Sequence, residues 1–292
     1  MQITKHQLGI VEPNTSSAMF MMFDIANEDM LGFGLKILQR FVDGKNVVAG
    51  LGNNLMKHFP MVTEYKRETF NSEFMSDSDG HDLVIWIKND DRGNIFHQAR
   101  DLREYLKDFF EFKQAVSSYS YQKKFDLSGF EDGIENPVDK EIEHVVIIPD
   151  GELEGSSFWV LQQWLHDFAW LNNNSQAAKE ACIGRSLDDS SFINNPSKSA
   201  HINKSAAENF TPHATLLRKS MPWSDDGLNG GLMFSCFATS FRSFNLQMAS
   251  MLGIDDGVLD GLFKFSKILN TSYLWCPPFK KGRLDISLFD KK

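Results

Sequence analysis

The chain has 292 residues, 42% hydrophobic and 24% charged, a soluble globular composition with enough length for one large core or two ordinary ones. Its 30 Lys and Arg against 39 Asp and Glu leave a net charge of −9, which speaks against a nucleic-acid or anionic-lipid partner. Three scattered cysteines, Cys182, Cys236 and Cys276, form no CxxC pair, so neither a disulfide framework nor a zinc site is expected.

The opening residues lack a basic segment followed by an apolar stretch, and the apolar run from Ala18 stops at Asp24. No apolar segment approaches the roughly 18 residues of a membrane span. The expectation is a cytoplasmic protein that does not enter the membrane. Ala18 to Ile25 reads as a strand, Leu31 to Val42 as a helix, and Val47 to Leu51 and Leu83 to Ile87 as strands. Asn94 to Phe110 carries Ile95, Leu102, Leu106 and Phe110 at helical spacing, and residues 117–121 close this half as a fourth strand. Strands at Ser156 to Trp164, Ala214 to Arg218, Leu232 to Phe237 and Ser272 to Cys276 follow. Helices are expected at Gln176 to Ile183, Phe241 to Leu252 and Gly257 to Ile268.

The first half has the order strand, helix, strand, strand, helix, strand, the split βαβ arrangement of a ferredoxin-like domain, and the second repeats it loosely with the helix at Gly257 to Ile268 added. The expected fold class is α+β: two ferredoxin-like halves, 1–137 and 138–292, with antiparallel sheets packed face to face as a sandwich or barrel and helices outside. Between Ile183 and Ala214 lie about 30 residues rich in Ser, Asn and Asp, a length that signals a functional loop or disorder.

His201 sits in that insertion and, taken alone, is a histidine in a polar loop. The eight histidines include no HExxH or comparable pair. Asp132, in Gly129-Phe130-Glu131-Asp132-Gly133, is by itself compatible with an ordinary turn, and Arg218 with a surface charge on a strand. His213 is a rival ligand, 12 residues after His201.

Together these residues resemble the dye-decolourising peroxidase family, in its bacterial short-chain branch. The stretch Gly129 to Gly133 followed by Glu135-Asn136-Pro137 is similar to the family's GxxDG signature. His201 precedes Arg218 by 17 residues, as the family's proximal haem ligand precedes its distal arginine. Gly50 to Asn54, Ile183-Gly184-Arg185, Ser220-Met221-Pro222 and Gly231 to Phe234 add further matches. The chain departs from the pattern at Ile134, where Thr is frequent, and at Lys123-Lys124. It ends at Phe289-Asp290-Lys291-Lys292 without the tail that relatives use to enter nanocompartment shells, so encapsulation is not expected.

The resemblance implies one haem b per chain, with His201 as the proximal iron ligand and Asp260 as the carboxylate behind it. It places Asp132 and Arg218 on the distal face as the catalytic pair, and adds Gly133, Ile134, Glu135, Ser220, Leu232 and Phe234 as cofactor-binding residues. Asp132 would move a proton between the peroxide oxygens, and Arg218 would steady the charge that develops. The implied function is reduction of hydrogen peroxide through a ferryl intermediate, with dyes, phenolics or other small-molecule reductants as electron donors, in a homo-oligomer of two or more chains. A haem-binding protein for storage, transport or iron release is the alternative, and a cofactor-free oligomeric module a third reading.

Overall fold

The computed structural model describes residues 5–65, 67–70, 72–75, 80–122 and 124–289. Expectations that rest on the first four residues, on Lys123 or on 290–292 lie outside that set.

Alternation along the apolar runs decides the architecture. In β1 (Ser17–Ile25), Ala18, Phe20 and Met22 enter one buried cluster, while Met21 and Phe23 enter another. A strand buried on both faces needs a partner layer on each side. The same division runs through β2 (Val47–Gly52), β3 (Leu83–Asn89), β4 (Phe110–Tyr119) and β5 (Ser157–His166). β6 (Leu217–Arg218) and β7 (Met221–Ser224) give Leu217, Met221 and Trp223 to the first cluster, and β8 (Gly230–Ala238) and β9 (Ser266–Cys276) again divide between the two.

All pairings are antiparallel. The first four strands lie in the order β2-β3-β1-β4 and the later ones as β9-β5-β8-β7, the ferredoxin-like order twice. Strands β6 and β7 lie end to end along β8. The two sheets are not separate layers, however. β2 pairs with β9 through Leu51↔Trp275 and Gly52↔Leu274, and β4 pairs with β7 at Ser118↔Trp223. These joins close eight strands into a ring, so the expected face-to-face contact occurs across the interior of one barrel-like sheet. Open edges would have left unpaired N–H and C=O groups at four strands.

The interior is filled by aromatic rings. Phe20 stacks on Trp86 at 5.7 Å between centroids, Trp86 on Phe237 at 6.1 Å, and Phe237 on Trp159 at 5.4 Å. The helices cover the outside. α1 (Leu31–Phe41) buries Leu31, Gly34, Leu35 and Leu38, one stripe at helical spacing. A short α2 (Asn53–Met56) precedes α3 (Arg92–Leu106), which buries Ile95, Ala99, Leu102 and Leu106. The Asp91 carboxylate caps α3, accepting from Gly93 N at 2.7 Å and Asn94 N at 3.2 Å. Helix α3 therefore starts before Asn94 and stops at Leu106, and Phe110 begins β4 instead of ending the helix.

The later half adds α4 (Lys140–Val146), α5 (Phe168–Asn173), α6 (Gln176–Ile183), α7 (His201–Ser205) and α8 (Arg242–Met251). The helix expected from Gly257 to Ile268 is only a 3-10 turn at Gly261–Lys264, and β9 starts at Ser266. Asp260 Oδ1 accepts from Leu262 N at 2.8 Å and starts that turn afresh, so no longer helix spans it. The strand expected at Ala214 to Arg218 is confined to β6, with β7 beyond it. Among the described residues no helix is long and apolar enough to cross a membrane.

Two interior indoles differ in one respect. Trp159 Nε1 donates to Ser235 Oγ at 2.8 Å, whereas Trp86 Nε1 is buried without a hydrogen-bond partner among the described residues. Trp159→Phe strands the Ser235 hydroxyl and Trp86→Phe strands nothing. The first is expected to cost about 1–2 kcal/mol more than the second in urea denaturation.

Candidate active site

The polar insertion is ordered around α7, which at five residues is too short to stand on propensity alone. Its support comes from neighbours. Lys204, buried, donates to both carboxylate oxygens of Asp256 at 2.8 Å, and Asn203 Nδ2 donates to Ser197 O at 2.8 Å. Gly184 ends α6 at φ +91°, and a Cβ there would meet Ile202 Cδ1 at 2.5 Å. Only glycine lets α7 lie this close to α6.

His201 is the first residue of α7. Its Nδ1 lies 2.8 Å from Asp260 Oδ2, and Asp260 is 1% exposed with its other oxygen held by Leu262 N. The carboxylate fixes the tautomer with hydrogen on Nδ1. Ser205 Oγ approaches Nε2 at 3.3 Å but donates to the His201 carbonyl at 2.9 Å. With that hydroxyl hydrogen engaged, the Nε2 lone pair remains open on the cavity side.

The loop that carries Asp132 is shaped by its own backbone: Asp126 N donates to Phe130 O at 2.8 Å and Asp132 N to Lys124 O at 2.9 Å. Gly133 turns the chain at φ +74°, where an added Cβ would meet Asn136 Nδ2 at 2.8 Å. Asn136 then grips the main chain of Arg218, donating from Nδ2 to Arg218 O and accepting at Oδ1 from Arg218 N, both at 2.8 Å. Loop and β6 are thereby locked in register. The Arg218 Nη1 to Asp132 Oδ1 distance is 3.9 Å, within Coulombic range but too long for a hydrogen bond. Arg218 Nε is buried with no partner among the described residues.

These parts meet at one cavity on the outer side of β5 and β8. It spans, with its open mouth, about 1080 Å³. Of the residues singled out in the sequence, His201, Asp132, Gly133, Ile134, Glu135, Arg218, Leu232 and Phe234 line it. Asp260 stands behind His201, outside the lining. Ser220 faces instead an adjoining cavity of about 960 Å³, which shares Asp132, Gly133, Arg218 and Leu232 with the first. His213 is exposed and lines neither.

Sequence reasoning missed several walls. Phe244, Met248 and Met251 of α8, with Ile183, Ile202 and Leu262, supply apolar surface. Arg185 pairs with Glu135 and covers the Phe192 ring, its carbon 4.0 Å from the centroid. The largest omission is polar. His166 Nε2 lies 2.8 Å from Asp126 Oδ2, and its Nδ1 2.8 Å from Ser266 Oγ. Ser128 donates to Asp126 Oδ2 from Oγ at 2.5 Å and from N at 3.2 Å. Burial alone would raise the Asp126 carboxyl; the charge and hydrogen bond of His166, with those from Ser128, outweigh it and hold it below the usual carboxylate value. Only the Asp-x-Ser spacing at 126–128 hinted at this in the sequence, since the partner is 40 residues away.

The comparisons with known proteins agree with this geometry. The family model described as Dyp-type peroxidase, C-terminal, matches residues 123–281, more than half of the 292 residues. The chain belongs to the Dyp-type peroxidase family. A dye-decolorizing peroxidase of Brevibacterium linens is 27% identical over 192 residues, 63% of this chain and 52% of that protein. One from Rhodococcus erythropolis is 27% identical over 158 residues, 52% of this chain and 46% of that protein. The match therefore spans about half the length of these curated relatives. Among solved structures, a dye-decolorizing protein from V. cholerae superposes with a TM-score of 0.82 at 23% identity, covering 92% of this chain and 96% of that one. A variant of DypB from Rhodococcus jostii RHA1 in complex with heme gives 0.78 at 19% identity, with 91% and 94% covered. The α+β fold of this Dyp-type chain is thus shared almost end to end.

In this Dyp-type chain the Asp126–His166 pair ties the Asp132 loop to β5. A carboxyl whose folded pKa is depressed stabilises the fold above its unfolded pKa and stops doing so as pH falls through the folded value. Asp126→Ala is expected to cost about 3–5 kcal/mol at neutral pH by leaving a buried partner. The gap to wild type in chemical denaturation should narrow below about pH 4.

Proposed function

We propose that the chain is a haem peroxidase that reduces hydrogen peroxide to water and withdraws single electrons from dyes, phenolics or similar small donors. The observation that carries this reading is the anchored His201, with Nε2 open, in the same apolar cavity as the Asp132–Arg218 pair.

The residues fit haem b, one per chain. Among the described residues no group of three or more His, Cys, Asp or Glu side chains is placed to hold a bare metal ion. A lone imidazole backed by a carboxylate suits an iron that brings its own equatorial ligands. Leu232, Phe234, Phe244, Met248 and Met251 offer apolar walls to a macrocycle, and the partnerless Arg218 Nε is a donor awaiting an acceptor. Bound there, haem would supply a redox-active iron able to exchange electrons with peroxide and with the donor.

The chain's own residues do the rest. His201 would hold the iron through Nε2, and Asp260, accepting from Nδ1–H, would raise the basicity of the ring. Asp132 takes the proton from one peroxide oxygen and returns it to the other. Arg218 steadies the negative charge that grows on the departing oxygen, a task for a fixed cation in a water-poor site. The 3.9 Å gap between their side chains leaves neither locked to the other before substrate arrives. The overall balance is one peroxide, two electrons and two protons giving two waters. On this reading 1–137 is the half that brings the distal loop and 138–292 the half that holds the cofactor.

Two outcomes test it. His201→Ala should lose retention of haem through gel filtration, read by the Soret band. Asp132→Ala and Arg218→Leu should keep haem yet slow the Soret change after one equivalent of hydrogen peroxide, by about 10²–10³-fold in stopped flow. Both distal variants reacting at the wild-type rate would leave haem storage or transport as the better account.

A further inference from the structure

The sequence Asp126–His166–Ser266 runs as a hydrogen-bonded chain from the buried side of the distal loop to the cavity wall. All three residues line the cavity, and all are buried, His166 with a side chain only 3% exposed. Nothing in the peroxide chemistry uses them. The elements around His166 leave it one charged partner. Asp126 touches Nε2; Asp167, the residue after β5, turns its carboxylate to cap α5 through Trp170 N at 2.9 Å. Phe168 and Phe265 stand edge-on to the ring, and Lys264 and Lys267 are exposed. Glu131, in the same loop and cavity lining, accepts from Ser190 Oγ at 3.2 Å.

The chain has two hydrogen-bonded states. With a neutral ring, Nε2–H donates to Asp126 and Nδ1 accepts the Ser266 hydroxyl hydrogen, so that Ser266 shows lone pairs to the cavity. With a second proton on the ring, Nδ1–H donates to Ser266 Oγ and the hydroxyl hydrogen is freed toward the cavity. Ser266 is thus a donor or an acceptor according to one proton on His166. An anion at this end of the cavity favours the donor state, in which the ring lies hydrogen-bonded between Ser266 and the Asp126 carboxylate.

Of the other polar walls, Arg218 belongs to the distal pair and keeps Nε without a partner among the described residues, while Gln162, Gln247, Ser128 and Arg185 are already engaged. Gln162 accepts from Trp164 Nε1 at 3.0 Å and donates to Thr271 Oγ1 at 3.0 Å, and Gln247 Nε2 donates to Ala214 O at 2.7 Å. Ser128 serves Asp126, and Arg185 serves Glu135 and Ser190 O. We propose that Ser266, backed by His166 and Asp126, is a carboxylate-binding subsite of the cavity, and that a carboxylate seated there binds together with one proton taken up from solvent onto His166. Resting on the haem reading, the ligand is a carboxylate on the edge of the porphyrin. His166 and Asp126 are positioning residues here; Ser266 makes the contact.

The test is equilibrium binding of ferric haem and of its dimethyl ester, which lacks the carboxylates, to apoprotein, read by Soret titration. Wild type should prefer the acid by about tenfold or more, the worth of one charge-assisted hydrogen bond. Ser266→Ala should bring that preference to within about threefold while leaving the ester's affinity unchanged, Ser266→Thr, which keeps the hydroxyl, should retain the wild-type preference, and His166→Gln should bring the preference down as Ser266→Ala does. Calorimetry in buffers of different ionisation heat should show up to one proton taken up per haem by wild type and none by His166→Gln. An undiminished preference in Ser266→Ala, or a preference abolished only by Arg185→Ala, overturns the subsite while the haem reading stands. Wild type that takes up neither form overturns the haem reading and the subsite with it.

Discussion

Closure of the barrel is the constraint from which the rest of the molecule follows. Three residue pairs, Leu51↔Trp275, Gly52↔Leu274 and Ser118↔Trp223, join two four-stranded sheets at their edges. Once the ring is shut, every strand has an inside that only this chain can fill, and Phe20, Trp86, Trp159 and Phe237 fill it. The outer faces must then be covered separately. On the first half α1 and α3 pack directly on the sheet. On the second, α8, α7 and the distal loop leave a gap above Gln162, Trp164, Leu232 and Phe234, and that gap is the cavity.

The cavity is consequently a shared structure. Its floor and the His201 side come from the later strands and helices, while Asp132 arrives on the connection between the halves. Three links hold that connection down: Asn136 on the Arg218 main chain, Asp126 on His166, and Glu135 on Arg185. They differ in kind. The first is a neutral bidentate contact that specifies register; the second is a buried carboxylate–imidazole pair, costly to break; the third sits nearer solvent, where screening weakens it.

Legibility in the sequence followed range. The strands at 17–25, 47–52, 83–89 and 230–238 could be read because their apolar runs are local and bounded. Helix α6 showed both ends, Ser175 accepting from Ala178 N and Gly184 in the left-handed region. The segment around Leu259, Leu262 and Phe263 misled because apolar residues at helical spacing also suit a single tight turn against a core. Strand β7 was hidden because its apolar residues follow Lys219 and Ser220, where a strand had seemed to end. His201 and Asp260, 59 residues apart, were paired only through family likeness. The contacts of Asn136 with β6 cross 82 residues and those of Asp126 with His166 cross 40, and no periodicity reports such distances.

The hold of Asn136 on residue 218 goes through the peptide groups on either side of Cα and ignores the side chain. Any residue but proline, which lacks the N–H, is delivered to the same place by the same two bonds. Position 218 is therefore a socket: a series of side chains of graded length, charge and acidity can be fitted there without moving the floor, the loop or the proximal ring. Such a series would sample distal electrostatics at fixed geometry, a separation of variables that most buried arginines, held by their own guanidinium contacts, do not offer.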